Sequence, residues 1–243
     1  MPRFFMAGTN IKGGMAIIRG RDAEHVRVLR LRPGEDLIIC DAQGTDYRCR
    51  LVSAEPDQVE AEVLEVVPCP AEPSVAVTVL CGLPKGDRVD YIIQKCVEAG
   101  AAEIVFFLSD RCVARPETPE KKLERWQRIA EEAAKQSGRG IIPTVSWAGE
   151  FAEALNIANQ KELKIFLYET GEREGLDAVL EANKTAKSVA LITGPEGGFA
   201  PFEADLARIV GLHICSMGER ILRCETAPVV ATTAVMYATG NLS

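Results

Sequence analysis

From residue 75 onward, short runs of continuously apolar residues alternate with longer segments whose apolar residues recur at helical spacing. VAVTVLC (75–81) is the first such run, and DRVDYIIQKCVEAG, which follows, places apolar residues three and four apart and ends on Gly100. Continuous apolar runs are typical of strands buried on both faces. Because strands that alternate with helices build a mostly parallel sheet, the pattern predicts an α/β domain whose ligands gather at the carboxyl ends of the strands.

The same alternation predicts the other elements of this domain. Further buried strands are expected at EIVFFL (103–108), LKIFLY (163–168), SVALIT (188–193) and HICSM (213–217). Residues 119–137 are expected to form a long amphipathic helix, and residues 225–240 a final helix rich in Ala, Thr and Val. Since the final helix is too apolar to be solvated all round, its outer face should pack on something.

The first part of the chain has a different pattern. Its strand-like segments are EDLIICD, TDYRCRLVSAE and QVEAEVLEVV, and the last of these alternates polar with apolar residues. Such segments predict a small β-rich domain over residues 1–70. The proline-rich stretch PCPAEPS (68–74) is typical of a stiff linker, so the α/β domain is expected to span residues 74–243.

Charge is distributed unevenly along the chain. The net charge is −7, which argues against a generally cationic nucleic-acid binder. Residues 1–32, however, carry +5 and residues 33–72 carry −8. A phosphate-bearing partner would be attracted by the first segment, although a solvated basic surface is an equally good explanation. The basic residues of the first segment are Arg3, Lys12, Arg19, Arg21, Arg27, Arg30 and Arg32.

Several classes of protein are disfavoured by composition. The eight cysteines include no CxxC pair and the chain has two histidines, so no metal site is expected. Most cysteines stand in apolar runs, where a reduced thiol acts as a small hydrophobe. No apolar stretch approaches the roughly 20 residues that span a bilayer, so we expect a cytoplasmic protein with no membrane partner.

The glycine-rich segment TGPEGGF (193–199) follows a predicted strand and precedes a helix that begins near Pro201. An ordinary dinucleotide-binding domain has its glycine loop after the first strand, but this chain has GLPKGDR (82–88) there. The later turn could be purely structural. Alternatively, Gly197 and Gly198 would let the backbone approach a ligand closely, and the position at a strand end favours this interpretation.

A second segment, MGERILRCETAPVVA (217–231), follows the last predicted strand. Arg220 and Arg223 flank an apolar pair, and Glu225 with Thr226 stands where the final helix begins. A glutamate in a first helical turn can simply favour the helix dipole, and an arginine at a strand end can be a surface charge. Two such segments after two successive strands nevertheless favour a shared site.

Five stretches of this sequence closely resemble the RsmE family, the ribosomal RNA small-subunit methyltransferases of the SPOUT superfamily that make 3-methyluridine. The resemblance covers nearly the whole chain and departs slightly at Cys224, where the family usually has a small residue such as Thr, and at EAG, where it usually has ELG. The stretches are TGPEGGF, MGERILRCETA, HVRVLRLRPGEDL, KGDRVDYIIQKCVEAGAAEIVFF and WQRIAEEAAKQSGR.

The resemblance implies a PUA-like RNA-binding domain followed by a SPOUT methyltransferase domain whose C-terminal segment is threaded into a trefoil knot. It also implies S-adenosylmethionine bound in a bent form at the knot, a homodimer through the knotted domain, and 16S rRNA or the small ribosomal subunit as partner. The reaction would methylate N3 of a uridine.

Specific residues follow from this resemblance. Arg223 is the expected stabiliser of the uridine anion, and Glu225 or Glu196 is the expected base or the group that fixes the arginine. Cofactor contacts are expected from Leu80, Gly82, Thr193, Gly194, Pro195, Gly197, Gly198, Met217, Gly218, Ile221, Leu222 and Thr226. RNA contacts are expected from Arg3, Arg19, Arg27, Arg30 and Arg32.

Two other functions compete with methyl transfer. A non-catalytic RNA-binding module would use the same basic domain and keep the α/β domain for dimerisation. A nucleotide-binding enzyme of another kind is disfavoured, because the chain has neither a phosphate loop after its first strand nor a metal cluster.

Overall fold

The computed structural model describes residues 1–6, 11–56, 58–116 and 118–242, and for residues 21, 22 and 120 it describes the backbone alone. The chain divides into two compact units. One comprises Met1–Glu72 together with Ala134–Ile142, and the other comprises Pro73–Ala133 together with Pro143–Ser243. The short return segment 134–142 is a part of the first unit that the sequence pattern did not indicate.

The described residues of the first unit form a six-stranded sheet with the strand order β1-β4-β5-β6-β3-β2. Strands β1 and β4 pair in parallel, and the other neighbours are antiparallel. The elements are β1 (Arg3–Phe5), β2 (Ile11–Lys12), β3 (Met15–Arg19), α1 (Arg21–Val28), β4 (Asp36–Cys40), β5 (Thr45–Ala54) and β6 (Gln58–Pro68).

Alternation along these strands sends apolar side chains to one face of the sheet, where they form the core of the first unit. Leu37 and Ile39 on β4, Leu51 on β5 and Val59 on β6 are all buried there. Val26 of helix α1 packs into the same cluster. The predicted small β-rich domain therefore has its own hydrophobic core.

The described residues of the second unit form a parallel seven-stranded sheet with the order β11-β13-β10-β12-β7-β8-β9. The strands are β7 (Ala76–Gly82), β8 (Glu103–Leu108), β9 (Thr144–Glu150), β10 (Leu163–Leu167), β11 (Glu174–Gly175), β12 (Ser188–Thr193) and β13 (His213–Ser216). The helices are α2 (Arg88–Glu98), α3 (Glu120–Ser137), α4 (Phe151–Ala158), α5 (Leu176–Ala182), α6 (Pro201–Ile209) and α7 (Ala227–Ala238).

Helix α2 shows why these segments fold as predicted. Five of its apolar residues recur at helical spacing and are buried, while Tyr91 is exposed. The chain then leaves the helix through Gly100 at φ +104°, a backbone conformation that favours glycine. The buried residues are Val89, Ile92, Ile93, Cys96 and Val97. The predicted architecture, an α/β domain with a parallel sheet preceded by a small β-rich domain, is what the described elements form.

The path of the chain after β12 determines where a ligand site can form. Strand β13 lies on the far side of β10 from β12, yet helix α7 packs back against β7, β12 and α2. Residues 217–226 must therefore cross the carboxyl ends of the central strands. This return is the connectivity that the resemblance implies for a trefoil knot.

The eight cysteines all lie in the described part of the chain and are free thiols, and all except Cys224 are buried. Burial raises the pKa of the Cys81 thiol to about 12. Within the described residues, no cluster of His, Cys, Asp or Glu has the make-up of a metal site. No helix in that part of the chain is long and apolar enough to cross a bilayer.

Candidate active site

A cavity of about 660 Å³ opens at the carboxyl ends of three adjacent strands of the second unit, β13, β10 and β12. This volume lies within the range of small-molecule sites. Its walls are formed mainly by residues 193–199 and 215–225, with further contributions from residues 167–173 and from Arg88. The two segments that the sequence indicated therefore meet around one pocket.

The turn at 194–198 is so closely packed that glycine is required within it and at Gly82, which lies against it. A Cβ added to Gly82, at the end of β7, would lie 2.6 Å from Pro195 Cδ and 2.9 Å from the Pro195 nitrogen. A Cβ on Gly197 would lie 2.9 Å from Arg111 Cβ. Gly198 has φ +64°, where its Cβ would be 2.6 Å from Glu169 Oε1. The turn is thus pressed between β7 and the loop after β8.

Glu203 joins the start of α6 to the loop after β8. The residue is 1% exposed, and its Oε1 accepts the Asp110 N–H at 3.1 Å while its Oε2 accepts the Ala200 N–H at 2.8 Å. A carboxylate that binds two backbone N–H groups satisfies donors that burial would otherwise leave unpaired. Glu203 was not among the predicted site residues, although a glutamate at the third position of a helix that begins with proline is a recognisable capping signal.

Two carboxylates on opposite walls of the pocket share one arginine. Glu196 Oε1 forms an ion pair with Arg88 and accepts the Lys85 N–H at 2.8 Å. Arg88 Nε lies 3.5 Å from Glu225 Oε2, which also accepts the Cys224 thiol at 3.2 Å. Arg88 is a site residue that the sequence analysis missed, because as the first residue of α2 it looked like an ordinary exposed helix residue.

The pocket fixes the ionisation of the groups around Glu225. Burial alone would raise the pKa of the Glu225 carboxyl, but hydrogen bonds from its own N–H and from Cys224, with the charges of Arg88 and Arg223, lower it. Burial and the Glu225 and Glu196 carboxylates raise the pKa of the Cys224 thiol to about 12. At neutral pH the site therefore presents an anionic glutamate and a protonated thiol, and Cys224 is not a nucleophile.

Most of the predicted cofactor and catalytic residues lie in the pocket wall, and four do not. Leu80 is fully buried in the core behind the pocket, and Gly82 packs against Pro195 of the turn. Gly197, within the turn, packs against Arg111, and the Thr226 N–H donates to Arg223 O at 2.9 Å at the start of α7. The predicted residues in the wall are Thr193, Gly194, Pro195, Glu196, Gly198, Met217, Gly218, Ile221, Leu222, Arg223 and Glu225. Wall residues beyond the predicted set include Glu169, Arg173, Phe199 and Arg220.

Four of the arginines expected to contact RNA are exposed on the first unit, namely Arg19, Arg27, Arg30 and Arg32. Arg3 differs from them, because its side chain is 10% exposed and its guanidinium donates to both oxygens of Asp46 at 2.9 and 2.5 Å. It holds β1 to β5 inside the unit and presents little surface to a partner. The side chain of Arg21 lies outside the described part of the chain.

Comparison with known proteins identifies the family of each domain. Residues 71–236 match the family model of the RNA methyltransferase domain, and residues 18–64 match that of the RNA methyltransferase PUA domain. The ribosomal RNA small subunit methyltransferase E of Bacillus subtilis is 34% identical, with 91% of this chain and 90% of the relative covered. That of Synechocystis is 36% identical, with 86% and 68% covered.

Two solved structures have the same fold over nearly their whole length. One is a ribosomal RNA small subunit methyltransferase E from Neisseria gonorrhoeae bound to S-adenosyl methionine, 32% identical at a TM-score of 0.85, covering 98% of this chain and 97% of that chain. The other is a putative methyltransferase from Legionella pneumophila in complex with the same cofactor, 26% identical at a TM-score of 0.81, covering 97% of each.

A parallel α/β domain with a pocket across its strand ends, joined to a PUA domain, defines an RNA methyltransferase. More particularly, the chain belongs to the ribosomal RNA small subunit methyltransferase E family, and the resemblance identified in the sequence is confirmed.

Proposed function

We propose that this chain methylates N3 of a specific uridine in 16S rRNA of the small ribosomal subunit, with S-adenosylmethionine as the methyl donor and 3-methyluridine as the product. The observation that carries the proposal is the meeting of TGPEGGF and MGERILRCETA around one pocket of about 660 Å³. A pocket of that size accommodates a nucleoside-sized ligand.

The lining of the pocket fits this cofactor. Backbone at Gly194 and Gly218 lines the pocket without intervening side chains, and Ile221 and Leu222 offer apolar surface. Ile221 is 83% exposed, so its large apolar side chain is accessible for contact with a ligand. S-adenosylmethionine, when bound, supplies an already activated methyl group on its sulfonium.

The residues of this chain then have two tasks, positioning and favouring the uridine anion. N3 of neutral uridine carries a proton, so the anion must be stabilised for N3 to accept a methyl group. Arg223 is suited to this role because its guanidinium forms no hydrogen bond or ion pair with any residue that the structure describes. Glu225, anionic at neutral pH, lowers the cost of placing that arginine in the site.

The proposal also assigns a role to each domain, an oligomeric state and a location in the cell. Residues 1–70 are proposed as the RNA-binding PUA-like domain and residues 74–243 as the methyltransferase domain. A homodimer through the knotted domain is supported by apolar side chains on α7 that face solvent, Val230 at 41% and Tyr237 at 79% exposure. We propose a cytoplasmic location, because the ribosomal substrate is found there.

Labelled methyl transfer tests the central proposal. Purified protein with labelled S-adenosylmethionine is expected to label small-subunit particles or their rRNA, and nuclease digestion followed by mass spectrometry is expected to yield 3-methyluridine. Calorimetry with the cofactor separates this enzyme from a pure RNA-binding module, which would give no saturable heat. Folded, cofactor-binding protein that labels no rRNA-containing substrate would exclude the proposal.

The exposed arginines of the first unit give a prediction about RNA affinity. Replacing both Arg27 and Arg32 by Gln should weaken binding to rRNA fragments of any sequence. The slope of log affinity against log salt concentration should become shallower by about 0.7 to 0.9 for each phosphate that the protein no longer neutralises. Arg48→Gln is the matched control, because Arg48 is also exposed but is paired with Glu65 at 2.8 Å. Titrations at several salt concentrations would refute the assignment if the control weakened binding equally.

A further inference from the structure

The two walls of the pocket are joined through one side chain. Arg88 comes from the start of α2 after β7, Glu196 from the turn after β12, and Glu225 from the segment after β13. The guanidinium contacts Glu196 through Nη1 and approaches Glu225 through Nε at 3.5 Å. A single group therefore ties together three segments that lie far apart in the chain.

The Arg88 contacts are important for the pocket wall formed by residues 217–226, because this segment has few described backbone hydrogen bonds. Residues 217–226, all of them described, carry no helix or strand. Their described backbone hydrogen bonds lie at the end next to α7, where the N–H groups of Thr226 and Ala227 donate to Arg223 O at 2.9 Å. An ion pair from α2 to Glu225 therefore restrains this segment from the other side of the pocket.

Glu196 binds two donors through one carboxylate oxygen. Its Oε1 accepts the Lys85 N–H at 2.8 Å as well as the Arg88 guanidinium. Lys85 lies just before α2 and Arg88 is its first residue, so the carboxylate fixes the turn at 194–198 to the start of this helix. A carboxylate oxygen that holds two donors is suited to positioning, since taking up a proton there would weaken both contacts.

We infer that Arg88 is a positioning residue that sets the spacing of the two pocket walls, with Glu196 as its anchor and Glu225 as its second partner. The inference rests on the proposed function and assigns Glu196 to positioning, not to proton transfer. Arginine suits the task because its planar fork presents separate nitrogens to the two carboxylates, whereas lysine has a single nitrogen.

Arg88→Gln tests the inference against Arg88→Lys and a matched control, Arg125→Gln. Arg125 also forms an ion pair with a residue of α2, Asp90, but does so outside the pocket wall. We expect Arg88→Gln to lower kcat by about 10²-fold, since misplacement of about 1 Å has effects of that order. The KM for rRNA should change little, Arg88→Lys should be intermediate, and the control should match the unmodified protein.

Hydrogen exchange measured without cofactor provides a readout independent of activity. The amides of Thr226 and Ala227, which donate to Arg223 O, should exchange faster in Arg88→Gln than in Arg125→Gln, while the amides of the central strands stay unchanged. Equal exchange in the two variants would overturn the inference. Because this measurement needs neither cofactor nor RNA, it tests Arg88 even if the protein labels no rRNA and the proposed function itself fails.

Glu196→Gln distinguishes an anchor from a base. The amide oxygen of Gln can still accept from Lys85 and Arg88 but lacks the charge, so we expect kcat to fall by about tenfold without a change in the shape of its pH profile. Loss of a general base has larger effects, of about 10² to 10⁴-fold. A fall of that size in folded protein, with loss of the pH-dependent limb, would overturn the assignment of Glu196.

Discussion

Replacing Arg223 by Ala is expected to lower the rate of methyl transfer by about 10² to 10³-fold, which is the usual effect of removing a preorganised donor to a developing anion. Affinity for S-adenosylmethionine should change by less than about threefold. The physical reason is that Arg223 lines the pocket without a bonded partner in the described chain, so its charge remains available to the uridine anion. Single-turnover transfer to rRNA and calorimetry with the cofactor measure the two effects separately.

Two variants control for the loss of charge and of bulk at Arg223. Arg223→Lys keeps the positive charge and should retain part of the rate. Arg128→Ala removes an arginine that is 70% exposed on α3 and lies outside the pocket wall, so its rate should be normal. Unchanged turnover in Arg223→Ala would remove the residue from the catalytic machinery. Equal loss of cofactor affinity and rate would make it a binding residue instead.

The strands of the second unit could be predicted from the sequence because those in its core are apolar throughout. In strand β12, Val189, Ala190, Leu191 and Ile192 are all at most 1% exposed, so the buried run in the sequence reports burial on both faces of the sheet. In helix α2 the five buried apolar residues share a single face. In both elements the local pattern and the tertiary environment agree, and this is the condition under which periodicity identifies an element.

Three of the elements that were not predicted, α1, β1 and β2, have weak local patterns. Helix α1 buries Ala23 and Val26 within eight mostly polar residues, so it has no continuous apolar stripe. Strands β1 and β2 have three and two residues, too short for alternation to be visible. The inclusion of residues 134–142 in the first unit depends on tertiary packing, and periodicity carries no information on that.

The sequence predicted which segments form the site, but it did not predict the ion pairs between their side chains. A parallel sheet brings strand ends together, so the meeting of the segments after β12 and β13 follows from topology. The bond between Arg88 and Glu196 spans 108 positions, and nothing in either local pattern indicates it. The same holds for Arg3, which counted as one more basic residue until the structure placed its guanidinium on Asp46.

Replacing Gly82 by Ala is expected to lower affinity for S-adenosylmethionine by about 10²-fold. The new Cβ would lie 2.6 Å from Pro195 Cδ and 2.9 Å from the Pro195 nitrogen, and Gly82 is fixed in β7 opposite Phe107 of β8. Since a ring and a backbone atom cannot rotate away, the turn at 194–198 must shift as a whole. Such overpacking typically costs about 1–3 kcal/mol, and here the displaced atoms belong to the wall of the pocket.

Gly149→Ala is the control that distinguishes a loss of cofactor affinity in Gly82→Ala from a loss of protein stability. Gly149 has φ +81° with no atom within 4 Å of an added Cβ, so alanine there is strained without striking a neighbour. The strain should destabilise the protein by about 1–2 kcal/mol and leave cofactor affinity unchanged. Thermal unfolding and calorimetry on both variants compare the two effects. If Gly82→Ala lost stability but bound the cofactor normally, the packing of β7 against the turn would be structural only, and the turn would not depend on β7 for its binding conformation.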